Sequence, residues 1–162
     1  MRSSDYLHAS IQLSKLKIPN IQQWHVMYII ILCATNEPTF NPYYGCLINQ
    51  LCKPNPSKLY TFRKVLRDYI KKYQDSISKS EAKLITILGN LTAQVTIENL
   101  STLRVLAFFN PDSPTKADIL FVQTLLLKLF ENINTTTVME SMLSDHVLKG
   151  TKDKVVYVLQ FF

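Results

Sequence analysis

A chain of 162 residues, 47% apolar and 19% charged, is long enough for one folded domain with a real core and too apolar for a disordered tail. Three glycines argue against Gly-rich phosphate loops and against a β-fold built on tight turns. The formal charge of +6 and the pI near 9.2 suit an anionic neighbour, such as RNA or an acidic protein face, or else ordinary solubilising charge.

The spacing predicts a first helix over residues 4–17, capped by Ser3 or Ser4, with Asp5 at its positive end and Leu7, Ile11 and Leu16 or Ile18 on its apolar side. Pro19-Asn20 breaks it. Residues 21–35 form a second helix, apolar nearly all round from Trp24 to Leu32, which places it in the interior. The third helix starts by rule. Asn41 is a good N-cap and Pro42 sits at the first helical position, where a missing N–H costs nothing. Tyr43, Leu47 and Leu51 then recur at helical spacing, with Tyr44 and Ile48 beside them, until Lys53-Pro54.

Asn55-Pro56 repeats that grammar and opens a fourth helix, 56–74, with Leu59, Phe62, Leu66, Tyr69, Ile70 and Tyr73 toward the core. Ser78-x-x-Glu81 reads as the capping box of a fifth helix through Leu84, Ile85, Leu88 and Leu91, which Gly89 weakens slightly. Thr96 is placed to cap a short sixth helix, 97–105, before the break at Phe108-Phe109-Asn110-Pro111, whose aromatics need burial. Ser113-Pro114 opens the longest helix, 114–133, with Ile119, Val122, Leu126, Leu129 and Ile133 on one stripe, widened by Phe121, Leu125 and Phe130. A further helix begins at Thr135 to Thr137 and stops at Gly150. Residues 152–162 are strand-like in composition, but a lone strand would have no partner, so helix is favoured. The sum is an all-α chain, a HEAT-like α-solenoid of antiparallel helix pairs forming a single domain over 1–162.

Chemistry is sparse. His8, His25 and His146 have no second ligand at i+4, there is no Cys-x-x-Cys, and no Walker, Gly-x-Gly-x-x-Gly or Gly-x-Ser-x-Gly motif occurs. Cys33, Cys46 and Cys52 are odd in number and lie in apolar helical context, so buried reduced thiols fit better than a disulfide framework. No signal-peptide pattern is visible and the run Val26 to Ala34 is too short to span a bilayer, which suits a soluble intracellular protein. These features describe a non-enzyme without cofactor or metal.

The fourth helix carries the best functional pattern. Tyr60, Lys64, Arg67 and Lys71 recur at i, i+4, i+7 and i+11, opposite the apolar side, and Lys53, Lys58, Arg63 and Lys72 flank them. A basic stripe with an aromatic is suited to RNA phosphates or an acidic partner; a solvated helix face is the plainer reading.

Laid out in this order, the residues Ser4-Asp5-Tyr6-Leu7-His8-Ala9, Leu13-x-x-Leu16, Cys33, Phe40-Asn41-Pro42-Tyr43-Tyr44 and Leu51-Cys52 resemble the start of an MA-3 domain. The closest version is that of the nucleolar Sgd/Nom proteins, and the likeness continues through Thr61-Phe62, Leu103-Arg104-Val105-Leu106 and Phe121-Val122-x-x-Leu125-Leu126. The resemblance implies a HEAT-like helical fold and a non-catalytic scaffold in small ribosomal subunit biogenesis, localised to the nucleolus or nucleus. Implied partners are ribosome assembly factors and the pre-ribosomal particle, with pre-rRNA and a DEAD-box helicase as further candidates. Family members usually carry an upstream HEAT domain, the middle domain of initiation factor four-G, which this chain does not show, so it reads as a fragment or a reduced relative. The alternative is a helicase-binding MA-3 module of a splicing or translation-initiation factor. The family lends no catalytic residues.

Overall fold

Asn41 accepts the Tyr43 N–H on its Oδ1 at 3.0 Å, and Pro42 follows at the first helical position, so the third helix begins as its sequence requires. The computed structural model describes residues 5–16, 18–19, 22–73, 78–132, 144–148 and 150–161, and all of its regular elements are helical. They are α1 (Tyr6–Lys15), α2 (Gln23–Thr35), α3 (Pro42–Cys52), α4 (Ser57–Ile70, extended by a 3-10 turn Lys71–Tyr73), α5 (Lys79–Glu98), a 3-10 segment (Leu100–Phe108), α6 (Lys116–Asn132), α7 (Asp145–Leu148) and α8 (Lys152–Phe161).

The packing alternates. α1 packs on α3 and α3 on α5, while α2 packs on α4 and α4 on the 3-10 segment, which also carries α7 and α8. Leu13 and Ser14 line one small cavity with Gln23, Val26, Met27 and Leu51, so the end of α1 lies beside the start of α2 and the end of α3. α1 and α3 therefore run parallel with α2 antiparallel to both, the arrangement of stacked helical pairs. One core joins the elements: Ile31, Ile48, Phe62, Leu66, Ile85, Leu88, Leu106, Phe121 and Val155 are all buried in it.

α5 and α6 form the most extensive pair, and Gly89 is why they come so close. A Cβ there would lie 2.7 Å from Thr124 Cβ and 3.2 Å from the Phe121 carbonyl oxygen. The cost of glycine in mid-helix is offset by close packing of the two axes. Ser78 and Glu81 complete the reciprocal capping box at the start of α5. The favoured helix at the end of the chain is present as α8, and Gly150, at φ +74°, stands between α7 and α8.

Several expectations are corrected. α1 packs through Tyr6, Ala9 and Leu13, whereas Leu7, Ile11 and Leu16 face solvent. Two apolar faces compete on this helix, and the one with the small Ala9 at its centre is the one that meets α3. α2 is not covered all round: Ile29, Leu32 and Cys33 are exposed, and Ile29 and Cys33 edge an apolar groove of about 580 Å³ shared with Leu13, Leu16, Tyr44 and Leu47. Of the three cysteines only Cys52 is buried; Cys33 is exposed and Cys46 half-buried.

Thr96 caps nothing. It lies inside α5, its hydroxyl donating to the Thr92 carbonyl at 2.7 Å, and the chain beyond is 3-10 rather than a short α-helix. The cap of α6 is Thr115, not Ser113. Thr115 N–H donates to Asp118 Oδ2 at 3.1 Å and Asp118 N–H to Thr115 Oγ1 at 3.2 Å, a capping box with Asp in the place of Glu. Phe130 is exposed and does not widen the buried stripe of α6, which consists of Ala117, Phe121, Val122, Leu125 and Leu129. Phe109 stacks on Phe121 at 5.4 Å, while Phe108 stays partly exposed. The caps predicted at Ser3 or Ser4, Ile133 and the helix start at Thr135 to Thr137 lie outside the described residues.

Candidate functional site on the fourth helix

α4 is launched by Asn55, whose Oδ1 accepts both the Ser57 N–H at 3.1 Å and the Ser57 hydroxyl at 2.6 Å. Leu59, Phe62, Leu66, Tyr69 and Ile70 are buried, which turns the opposite face of the helix outward. On that face Tyr60, Lys64 and Lys71 are exposed, and Lys53 is exposed just before the helix. The Tyr60 ring, at 61% exposure, is one of the most open aromatics of the described residues.

The other basic residues of the predicted set are held inward, each for a different reason. Arg67 is half-buried and lies over the Phe108 ring, 5.1 Å from its centroid, with its Nε buried and unpaired among the described residues. Lys72 is exposed but folds over two rings, with Nζ 5.0 Å from the centroid of Tyr28 and 5.3 Å from that of Tyr69. These rings continue into a stack with Trp24, so the ammonium caps an aromatic cluster. Lys58 is half-buried, edging the cavity formed by Leu13, Met27 and Leu51.

Arg63 departs furthest from a surface contact. It is 7% exposed, and its Nη1 donates to the Ser101 carbonyl at 2.6 Å, tying α4 to the 3-10 segment. Burial holds its pKa below the ordinary guanidinium range, and the neighbouring Arg104 guanidinium pushes in the same direction. The stripe is thus two exposed lysines and a tyrosine along α4, with an inner row of cations bound into the fold.

Sequence spacing did not bring Arg104 or Phe108 to this region, because both arrive from the 3-10 segment. Arg104 donates through Nε to the Val147 carbonyl at 2.7 Å, fastening α7. The signal for it in the sequence is a charged residue in the otherwise apolar run Leu103 to Leu106, which the reading of the fourth helix did not use. Cys52 shows the reach of burial here: its thiol is pushed up to about 12, despite the opposing effect of Lys58 and Arg63.

The block from Asn41 to Cys52 lies behind this face as packing. Tyr43 is buried, and Tyr44 donates its hydroxyl to Glu37 Oε1 at 2.9 Å, which with burial lifts its pKa to about 12. Gln94 reaches over Gly45 to donate to the Pro42 carbonyl at 3.0 Å. Among the described residues, no cluster of three His, Cys, Asp or Glu side chains is placed to hold a metal, and no helix is long and apolar enough to cross a membrane.

The family model of the MA3 domain matches residues 1–100. The chain belongs to the MA3 domain family. It is similar to nucleolar MIF4G domain-containing protein 1 of Mus musculus, at 27% identity over 93% of this chain and 17% of that protein. The Drosophila melanogaster homolog of that protein is 30% identical over 80% of this chain and 14% of its own length. Suppressor of glycerol defect protein 1 of Schizosaccharomyces pombe is 28% identical over 64% of this chain and 14% of its length. The chain thus spans roughly a sixth of the length of the curated relatives it matches. These matches agree with the Sgd/Nom branch of MA3 proteins, and the all-helical fold with an MA3 domain.

Proposed function

We propose that this MA3 domain is a non-catalytic docking module in assembly of the small ribosomal subunit, working in the nucleolus. The observation that carries the reading is the likeness to nucleolar MIF4G domain-containing protein 1 along 93% of the chain. The fold suits the role: an MA3 domain is typically a protein-interaction module, and stacked helices offer faces and inter-helix loops for docking. The domain is taken as one unit over 1–162, engaging assembly factors on the pre-ribosomal particle and, through the exposed Lys53, Tyr60, Lys64 and Lys71, an RNA or an acidic partner surface.

Depletion of the protein from its own cells tests this. Small-subunit precursor RNA should accumulate. Normal precursor levels accompanied by a splicing or translation-initiation defect would transfer the domain to the helicase-binding alternative.

A further inference from the structure

An open cleft of about 600 Å³ lies where the first turn of α4 faces the 3-10 segment and α7. Its walls include Ser57 and Tyr60, the buried Arg63, the half-buried Ser101 and Arg104, and the exposed His146. No aspartate or glutamate is among the described residues that line it. The two guanidiniums are close enough to repel one another, and the groups acting on Arg63 besides Arg104 are Tyr60 and Cys52, neither a carboxylate. Among the described residues each arginine meets a neutral acceptor, Arg63 the Ser101 carbonyl and Arg104 the Val147 carbonyl.

Buried cations are ordinarily matched by an anion, because taking a charge out of water is costly unless an opposite charge meets it. Here the fold brings together one buried and one half-buried cation and adds the positive end of the α4 dipole, with no carboxylate among the described residues that line the cleft. An oxyanion would supply a counter-charge there, and the guanidinium fork is shaped for the oxygens of a phosphate. Tyr60 decides between oxyanions. Its ring is 61% exposed at the lip of the cleft, a flat platform beside the cationic floor. Lys64 follows one helical turn further along the same exposed face. A stacking surface next to a phosphate seat, continued by a lysine, is the pattern that reads an unpaired strand.

We infer that the cleft seats a backbone phosphate of single-stranded RNA on Arg63 and Arg104, with the adjoining base stacked on Tyr60. The inference deepens the proposed function and rests on its reading of an RNA-bearing partner. Its test is made on purified protein, so failure here leaves the depletion experiment standing.

The test follows the Nε–Hε resonances of Arg63 and Arg104 in the full chain during titration with a short oligouridylate, with inorganic phosphate and with oligoglutamate in parallel. The oligouridylate should move both resonances, and Tyr60→Ala should weaken its binding about tenfold, as expected for the loss of one stacked base. Inorganic phosphate should move the same resonances with no dependence on Tyr60. Tyr60 is exposed, so the variant should fold as the parent does; Tyr60→Phe, which keeps the ring, should restore affinity. Binding of oligouridylate that leaves both arginine resonances in place would overturn the inference, as would a failure to bind. Oligoglutamate moving them as strongly as RNA, with Tyr60→Ala without effect, would replace RNA with an acidic peptide.

Discussion

Arg63 Nη1 meets the Ser101 carbonyl at 2.6 Å across 38 residues of sequence, and this bond helps to join the basic helix to the segment behind it. Truncation by Arg63→Ala would leave that carbonyl without its charged donor and open a cavity around the stem. Hydrogen bonds to charged groups contribute about 1.5–3 kcal/mol, so the variant should lose about 2 kcal/mol in urea unfolding. Arg63→Met, which keeps the stem packed, should lose less. Equal losses in the two variants would show that the bond, and not the stem, carries the effect.

Gly89→Ala tests the close approach of α5 and α6. Helix propensity alone favours alanine by about 1 kcal/mol. Overpacking against Thr124 and the Phe121 backbone costs about 1–3 kcal/mol, and the new Cβ at 2.7 Å from Thr124 Cβ has no flexible tip to push aside. The urea midpoint should therefore fall. A rise would mean that the two helices separate without penalty.

The exposed part of the stripe is smaller than its sequence pattern, which changes the informative variant. Charge reversal at Arg67 would also break its stacking on Phe108, so the test belongs at Lys64 and Lys71. The double variant Lys64→Glu, Lys71→Glu should fold with an unchanged urea midpoint and lose association with RNA or the particle. It should also flatten the salt dependence of oligouridylate binding, by about 0.7 per lost single-strand phosphate contact in the log–log slope. Unaltered association at physiological salt would make this row a solvated face.

Glu81 gives the α5 cap a pH signature. Its bonds to the Ser78 backbone N–H and side chain hold its pKa below the ordinary 4.5. A group depressed in the folded state stabilises above its unfolded value, and that contribution is lost as pH falls through the folded value. Unfolding midpoints of the parent should therefore decline below about pH 4.5 more steeply than those of Glu81→Gln, whose amide oxygen accepts the same bond at every pH. Parallel acid limbs would show that the cap adds no linkage.

The thiols should separate cleanly by reactivity. Cys33 is exposed and should react with a thiol reagent in the native state, whereas Cys52 is buried with its pKa pushed up to about 12. Mass spectrometry after brief native alkylation should find label on Cys33 and none on Cys52. Early label on Cys52 would mean that the α3–α4 region opens readily.

Local chemistry was legible in the sequence, and long-range closure was not. Asn41-Pro42 and Ser78-x-x-Glu81 act within one helical turn, so short-range grammar found them. Gly150 marked the α7–α8 break for the same reason, through a positive φ that favours glycine. The face of α1 was misread because both Leu7-Ile11 and Tyr6-Leu13 satisfy helical spacing, and only contact with α3 chooses between them. α2 is apolar on every side, so its pattern could not say that Ile29 and Cys33 border a groove. In the basic helix, Arg63 looked like its neighbours until Ser101 and Arg104 arrived from the far side of α5. A charge run shows where cations are, and the packing partner decides which of them remain in water.

RNA recovered with the tagged protein from its own cells tests the central claim most directly. Precursor RNA of the small ribosomal subunit should be enriched over all other classes. Enrichment of spliceosomal small nuclear RNA or of messenger RNA, with no precursor above background, would contradict the assignment.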